Sequence, residues 1–458
     1  MSKTSLEQLK SKVYHAVTLL RSSVEVTQYL DYIGVFLSLK QISDNVDTRK
    51  SQYYPYLVVP EEAHWQHLLD HRDNLGERLN RSCQLIEKAN PNLWRDMLTH
   101  VNFNNVSRHN PQQRDQILFG ILQIFSTISL KEGDLDTPGV TGDLFDFSMD
   151  NLAGSIGFAT GEFLTPPSLR RLMVSLLKPE EFMSIADPTM GSGGLLIECA
   201  RYVERHGGDP HSLSLSGQEV NTSFGSIAKM NAFLHGISNA DIKVGNTITT
   251  PNLLNQGHLR TFDLVITHPP FGLNKWDYEF AQRDPYDRFS YGVPPRSRGD
   301  FAFIQHALAA TKPGGKAGIV TTHGVLFREG SEGEIRERIV ADDIIDAVIA
   351  LPSGLFRNTS LSGVVLIFNK NKSPERREGI LFIDASHMKL NEQKELRDSD
   401  VQKIVAAFDQ LQDIPGFSHF ATFEEIWANK VNLTISLYVE KTLIQEDFDI
   451  SEALEELL

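Results

Sequence analysis

The sequence predicts an α/β protein, an open, doubly wound sheet with helices on both faces, an all-α domain before it and a helical C-terminal tail after it. Three stretches of different character predict this order. Residues 1–150 show apolar side chains at helical spacing, for example in segments 6–20 and 114–128. From about residue 160 to 385, short apolar runs alternate with longer amphipathic segments, which is typical of strands joined by helices. After residue 388 charged helical patterning returns and ends in the acidic segment 446–458.

These stretches divide the chain into three expected domains. Residues 1–150 form an N-terminal helical domain, residues 151–388 form the domain that would hold the active site, and residues 389–458 form a C-terminal helical region for contact with a partner. The strands expected in the central domain are 183–186, 213–220, 242–244, 262–267, 317–321, 344–350 and 363–368.

Composition and charge limit the functions to be considered. Of the 458 residues, 41% are hydrophobic and 22% charged, which is typical of a globular protein. No apolar run approaches the roughly 18 residues of a membrane span, the N-terminus lacks an apolar signal segment, and Cys83 and Cys199 are far apart. We therefore expect a cytoplasmic protein without membrane contact and without a metal site. The net charge of −15 argues against strong nucleic-acid binding by this chain alone.

A glycine-rich turn in the central domain is a candidate ligand site. Segment 183–196 consists of a short strand that ends at Asp187, a turn that contains Gly191 and Gly193, and an apolar helix start. Ligands of open α/β sheets bind at the carboxyl ends of strands, and glycine lets the backbone approach them closely. The turn lacks the Gly-Lys-Ser/Thr ending of a triphosphate-binding loop. A tight strand-to-helix turn without a ligand is the alternative interpretation.

Two polar residues follow further predicted strands. Glu219 lies at the end of strand 213–220, where a carboxylate can accept hydrogen bonds from ribose hydroxyls. Asn246 follows strand 242–244 and offers a short polar side chain for the edge of an adenine ring. Together with the glycine turn, and in this chain order, these residues predict a pocket for an adenosine-containing cofactor.

The segment 262–272 is the most informative motif. A buried strand is followed by His268, Pro269, Pro270 and Phe271. The two prolines end the strand and stiffen the backbone, so a polar side chain and an aromatic ring are held at the sheet edge beside the glycine turn. An enzyme that modifies a DNA base must extrude the base and hold it by stacking and hydrogen bonds. The motif provides both kinds of contact.

The order of glycine turn, acidic residue, Asn246 and Pro-Pro-Phe resembles that of the amino-group DNA methyltransferases. Further stretches are similar to the modification subunits of type I restriction–modification systems, namely residues 59–65, 161–166, 298–306, 312–320, 323–327, 351–359 and 432–438. The resemblance extends over most of the chain. It implies an adenine-N6 DNA methyltransferase with the Rossmann-like sheet of S-adenosylmethionine-dependent methyltransferases.

The resemblance also implies the roles of individual residues. The residues that would hold S-adenosylmethionine are Thr165, Asp187, Gly191, Gly193 and Glu219, with Asn246 at the adenine of the cofactor. The target amine would be held by His268 and the carbonyl region of Pro269 and Pro270, and Phe271 would stack on the flipped adenine. Phe356 is a second stacking candidate, although a phenylalanine near a strand start is more often part of the core.

His268 departs from the family pattern, in which this position is normally Asn. The carbonyl oxygen of that Asn accepts a hydrogen bond from the target amino group while the amino nitrogen attacks the methyl group. A neutral imidazole has one acceptor nitrogen, but it is bulkier and, when protonated, repels the developing positive charge. Two hypotheses follow, an active methyltransferase or a catalytically impaired scaffold subunit of the same fold that binds DNA or partner subunits.

The resemblance implies three partners, which are DNA, a sequence-specificity subunit and a restriction subunit, in a hetero-oligomer. The acidic net charge agrees with a division of functions among subunits, because another subunit would then supply much of the DNA contact.

The long segment 273–299 interleaves aromatic and basic residues and is either a DNA contact or a loop folded onto its own domain. A methyltransferase for a protein glutamine or an RNA base is a third interpretation, which leaves the N-terminal helical domain unexplained.

Overall fold

The structure is a computed structural model that describes residues 3–21, 23–46, 57–91, 94–107, 110–137, 139–153, 164–356 and 361–440. Three of the expected features lie wholly or partly outside these ranges, namely the acidic segment 446–458 and the motif residues 161–163 and 357–359. Within the described ranges, no helix has both the length and the apolar character needed to cross a membrane.

The N-terminal region is helical, as the sequence predicts. Its helices are α1 (Leu6–Leu20), α2 (Tyr29–Asn45), α3 (Trp65–Asp70), α4 (Leu75–Ala89), α5 (Pro111–Ser126) and α6 (Val140–Ala153). Ser5 caps α1 by accepting a hydrogen bond from the backbone N–H of Gln8, and Asn110 caps α5 by accepting from the N–H of Gln113. Both caps satisfy backbone donors that the first helical turn leaves without partners.

The remainder of the chain alternates strands and helices. The helices are α7 (Pro167–Leu177), α8 (Gly194–Arg205), α9 (Thr222–Leu234), α10 (Tyr278–Ala281), α11 (Asp300–Ala309), α12 (Ser331–Ala341), α13 (Asp398–Gln410) and α14 (Phe423–Ala428). The strands are β1 (Ser184–Asp187), β2 (Ser214–Glu219), β3 (Asp241–Val244), β4 (Leu254–Asn255), β5 (His258–Leu259), β6 (Phe262–Thr267), β7 (Thr311–Thr322), β8 (Ile345–Ala350), β9 (Gly363–Asn369), β10 (Gly379–Asp384) and β11 (Ser418–Thr422). Every predicted strand is present, which confirms the α/β fold.

Within the described residues, the main sheet has nine strands in the order β11-β10-β8-β9-β7-β6-β1-β2-β3, and β4 pairs with β5 separately. Strands β3, β2, β1, β6 and β7 run parallel, and β10 runs parallel to β8. β9 lies between β7 and β8 and is antiparallel to both. The strand order reverses between β1 and β6. Such a switch point opens a crevice at the carboxyl ends of the strands, where open α/β sheets bind ligands.

Helices cover both faces of this sheet. Leu172 of α7 and Leu196 of α8 belong to one apolar core, whereas Ile304 of α11 belongs to another. Adjacent residues of β1 alternate between the two cores, since Ile185 lies in the first and Ala186 in the second. This alternation follows from the period of two along a strand and places the two cores on opposite faces of the sheet.

The helical N-terminal domain packs on the sheet domain through α9. Ile227, Met230 and Phe233 of α9 lie in the same core as buried side chains of α2 and α6. Gly34 in α2 packs so closely that a Cβ at this position would lie 2.9 Å from the sulfur of Met230. A shared, close-packed core at this contact holds the two domains in one relative position.

The C-terminal region differs from the prediction that residues 389–458 are helical. Helix α13 is present, but residues 418–422 form β11, an antiparallel edge strand of the main sheet. The region also joins the sheet domain through Glu395, which accepts hydrogen bonds from the backbone N–H (2.8 Å) and hydroxyl of Ser168. An edge strand needs no continuous apolar run, and β11 is only partly buried, so its sequence did not indicate a strand. That residues 389–458 contact a partner stays a prediction.

Candidate functional site

A cavity of about 350 Å³ lies at the carboxyl ends of β1, β2, β3 and β6. This volume is within the range of roughly 300–1,000 Å³ that is typical of small-molecule sites. The sequence-predicted residues that line it are Gly191, Glu219, Asn246, His268, Pro269 and Pro270. The structure therefore brings together residues from four separate motifs at the switch point of the sheet.

The two glycines of the turn have different roles. Both have the left-handed backbone that favours glycine, with φ of +54° at Gly191 and +79° at Gly193. Gly191 lines the cavity, and its N–H donates to Oε2 of Glu219 at 2.9 Å. Gly193 is the N-cap residue of α8 and faces Ala228, whose Cβ would lie 3.6 Å from a Cβ at position 193. Gly193 thus shapes the turn and does not line the cavity.

Glu219 ends β2 and is held in place by two backbone groups. Its Oε2 accepts from the N–H of Gly191 and its Oε1 accepts from the N–H of Asn221, both at 2.9 Å. Each carboxylate oxygen can accept more than one hydrogen bond, so the side chain can also accept bonds from a ligand. This geometry fits the ribose role that the sequence predicted.

Asn246 follows β3 and lines the same cavity, but its amide group is also part of the protein structure. Its Oδ1 accepts from the N–H of Ile248 at 2.8 Å, and its Nδ2 donates to Oδ2 of Asp277 at 2.9 Å. Asp277 belongs to the segment 273–299 and lines the cavity as well. Asp277 was not predicted from the sequence, because the contact joins residues 31 positions apart.

Asp187 is 1% exposed and connects the glycine turn to the Pro-Pro-Phe motif. Its Oδ1 accepts from the N–H of Thr189 at 3.0 Å and from the hydroxyl of Thr267, the residue before His268, at 2.7 Å. Its Oδ2 is buried and has no hydrogen-bond partner among the described residues. Burial raises the pKa of the carboxyl group to about 7. Thr189 and Thr267 were missed from the sequence, where only the position of Thr267 at the strand end could have indicated its role.

Thr165 does not line the larger cavity. It lies in a neighbouring cavity of about 30 Å³, together with Arg170, Asp187 and His268. Its Oγ1 is 3.0 Å from Nδ1 of His268, which is within hydrogen-bond distance. The structure thus places Thr165 beside the glycine turn, in contact with the unusual histidine.

His268 lies between the two cavities and lines both. The side chain is almost buried, with 8% of the residue exposed. Burial lowers the pKa of the imidazole to about 4, so the ring is neutral at physiological pH. The repulsion that a protonated ring would exert on a developing positive charge is therefore absent.

The two stacking candidates both contact His268. The ring centroids of Phe271 and Phe356 lie 5.2 Å and 5.3 Å from that of His268. The two phenylalanines are 5.3 Å apart and meet edge to face at 82°. Phe356 is 2% exposed and belongs to the core beneath the sheet, whereas Phe271 is only partly buried. Phe356 is therefore a core residue in this structure, which is the alternative assignment given above.

The segment 273–299 is in part folded onto its own domain. Arg288 is 1% exposed, pairs with Asp284 at 2.7 Å, and donates to the carbonyls of Thr247 (2.9 Å) and Ile248 (2.6 Å), which line the large cavity. Trp276 is equally buried and lines the cavity. The exposed basic residues of the segment are Lys275, Arg283, Arg296 and Arg298. A DNA contact stays a prediction for these four residues.

An open, mostly parallel sheet with a glycine turn after β1, a carboxylate at the end of β2 and a Pro-Pro-aromatic motif after β6 defines a methyltransferase of the S-adenosylmethionine-dependent class. Residues 137–447 match the N-6 DNA Methylase family, and residues 9–125 match the HsdM N-terminal domain. The chain belongs to the N-6 DNA methylase family.

Individual relatives are similar over most of the chain. The methylase subunit of the type I restriction enzyme MjaVII from Methanocaldococcus jannaschii is 32% identical, over 99% of this chain and 81% of the relative. The HindI methylase subunit from Haemophilus influenzae is 31% identical, over 68% of this chain and 71% of the relative. Among solved structures, the methyltransferase subunit of a type I restriction–modification system from Streptococcus thermophilus has a TM-score of 0.82 and 26% identity, over 95% of this chain and all of that one.

Proposed function

We propose that this chain is the modification subunit of a type I restriction–modification system and transfers a methyl group from S-adenosylmethionine to N6 of a flipped adenine in DNA. The observation that supports this most directly is the place of His268, which lines the large cavity and contacts the rings of Phe271 and Phe356. Transfer between two bound reactants requires that their reacting atoms are held close together, and His268 lies where the two proposed sites meet.

The lining of the two cavities fits S-adenosylmethionine. Asp187 offers a buried carboxylate oxygen to the positively charged end of the cofactor, Glu219 offers acceptors to the ribose, and Asn246 lies where the adenine is expected. The backbone at Gly191 can approach the ligand because no Cβ intervenes. When bound, the cofactor supplies a methyl group that is already activated on a sulfonium.

In this proposal, His268 and the carbonyl region of Pro269 and Pro270 hold the amino group of the target adenine. The neutral imidazole accepts a hydrogen bond from one exocyclic N–H and thereby directs the nitrogen lone pair toward the methyl group. With the cofactor bound, its methyl group would pass to this nitrogen, the thioether would leave as S-adenosylhomocysteine, and the amino group would lose one proton to water. Phe271 stacks on the flipped base, whereas Phe356 stays in the core and packs against the His268 ring.

We propose DNA, a sequence-specificity subunit and a restriction subunit as partners in a hetero-oligomer. The net charge of −15 supports this, because nonspecific affinity for DNA depends on neutralising phosphates with Lys and Arg. Among the described residues, the exposed basic residues of the segment 273–299, which are Lys275, Arg283, Arg296 and Arg298, are the candidates for DNA contact by this chain. Both cysteines are buried and unpaired, which agrees with a reducing compartment such as the cytoplasm.

The function is tested by transfer of a radiolabelled methyl group from S-adenosylmethionine to DNA, with and without the co-purified specificity subunit. We expect label in DNA with the complex, and N6-methyladenine as the labelled nucleoside after digestion. Label on another nucleoside would contradict the proposed target. Binding of S-adenosylmethionine without any methylated product would instead assign the scaffold function that His268 first suggested.

We expect binding of S-adenosylmethionine to weaken as the pH falls below about 7. In the free protein the carboxyl group of Asp187 has a pKa of about 7, and a positively charged ligand favours its ionised form. Below that pH the group must lose a proton on binding, so the dissociation constant rises by up to about tenfold per pH unit and is constant above it. Calorimetric titrations between about pH 5.5 and 8 measure both the affinity and the released proton.

The matched variant for the pH experiment is Asp187→Asn. Its side chain cannot ionise, so we expect weaker binding at high pH and loss of the pH dependence. If the wild type and the variant show the same pH profile, another group is responsible.

A further inference from the structure

The contact between Thr165 and His268 involves a ring nitrogen and can therefore affect which nitrogen of the imidazole carries the proton. The asparagine of the family has no such choice. The 3.0 Å contact joins the threonine Oγ1 to Nδ1 of the ring, and it connects residues 103 positions apart. Thr165 lies directly before Pro166 and α7, and His268 lies directly before Pro269 and Pro270. Proline restricts both its own backbone and that of the preceding residue, so both partners are held on stiff segments.

A neutral imidazole can serve the reaction in only one of its two tautomers. With the proton on Nδ1, that nitrogen donates to Thr165 and the lone pair of the ring is on Nε2, where it can accept from the target amine. With the proton on Nε2, the hydroxyl of Thr165 would donate to Nδ1 instead, and the ring would present a donor to an amino group that is itself a donor. The contact is thus compatible with both tautomers, and the need of the reaction for an acceptor favours the first. Burial lowers the pKa of the imidazole, so the ring stays neutral at physiological pH and must adopt one of the two tautomers.

We propose that Thr165 is a positioning residue, whose hydroxyl oxygen accepts from Nδ1–H of His268 and holds the ring in the tautomer that presents Nε2 as an acceptor. The proposal rests on the proposed function of His268. It differs from the role in cofactor binding that the resemblance implies for Thr165, and it rests on the contact with His268, since Thr165 also lines the smaller cavity together with Asp187. An amide has a fixed carbonyl acceptor and would not need such a neighbour.

A double-mutant cycle in the complete enzyme complex tests this inference. The variants are Thr165→Val, His268→Asn and the combination of both, with kcat, KM and the dissociation constant for S-adenosylmethionine measured for each. Thr165→Val keeps the shape of the side chain and removes the acceptor. We expect it to lower kcat about tenfold when His268 is present, the equivalent of one neutral hydrogen bond. In the His268→Asn background we expect less than about a twofold change, because the interaction is then absent.

Two further measurements separate positioning from structural damage. Thr165→Ser keeps the hydroxyl group and is expected to restore kcat, and Thr165→Val should bind S-adenosylmethionine with nearly the affinity of the wild type. An equal loss of kcat in both backgrounds would overturn the proposal. So would a loss confined to the affinity for S-adenosylmethionine, which would make Thr165 a cofactor ligand.

The tautomer itself can be observed without any activity. In ¹⁵N-histidine-labelled protein, the His268 ring is assigned by the signals that disappear in His268→Asn, and its nitrogen shifts report which atom is protonated. We expect protonated Nδ1 in the wild type and a population protonated on Nε2 in Thr165→Val. A wild-type ring protonated on Nε2 would refute the role of Thr165, whereas inactivity with the expected tautomer would refute only the proposed function.

Discussion

Replacing His268 with leucine is expected to lower kcat for methyl transfer to DNA by about 10²- to 10³-fold, the usual effect of losing one preorganised polar group at a reacting centre. Leucine fills much of the same volume between Phe271 and Phe356 but has no lone pair to accept a bond from the target amine. Single-turnover measurements with saturating S-adenosylmethionine report the chemical step directly.

The matched control for this prediction is His268→Asn. The asparagine carbonyl restores an acceptor at the same backbone position, so we expect activity at least equal to that of the wild type. Activity only in the asparagine variant would show that the natural chain is catalytically impaired. Full activity in the leucine variant would remove His268 from the mechanism.

Replacing Arg288 with methionine is expected to lower the free energy of unfolding by about 3–5 kcal/mol, the typical effect of removing one partner from a buried ion pair. The guanidinium is buried, and its loss leaves Asp284 without its charged partner and removes two donors from the carbonyls of Thr247 and Ile248. Since Thr247 and Ile248 line the large cavity, we also expect weaker binding of S-adenosylmethionine. Urea unfolding measures the first effect and calorimetry the second.

The same segment offers an exposed control. Arg296 pairs with Glu279, and both side chains are more than half exposed. Arg296→Met should therefore change the free energy of unfolding by less than about 1 kcal/mol. If Arg288→Met and Arg296→Met have the same free energy of unfolding, the buried Arg288–Asp284 pair does not hold the segment 273–299 against the cavity.

The fold could be predicted largely from the sequence because its strands are buried on both faces and form short apolar runs. Two strands of the main sheet were not predicted. β10 is a short, mostly buried apolar run and was readable in the same way, whereas the partly buried edge position of β11 needs no such run. The glycine turn and the Pro-Pro-Phe motif were also readable, because positive φ and the end of a strand require particular residue types.

The site was only partly predictable. Gly191, Glu219 and Asn246 line one cavity because they end or follow neighbouring parallel strands, and strand ends of this kind lie at one edge of the sheet. Trp276 and Arg288 could not be assigned, since an aromatic or basic residue in a long segment has the same sequence signature whether it is exposed or buried.

The sequence alone determined which residue types stand at the strand ends, including the histidine at position 268, because these local motifs depend on backbone conformation and chain order. The tertiary structure decided what each side chain contacts. Only the fold shows that Thr165 reaches His268, that Asp187 bonds Thr267, and that the histidine is buried enough to stay neutral. Contacts and burial depend on segments far apart in the chain, and desolvation, which sets the charge of the ring, exists only once those segments have packed.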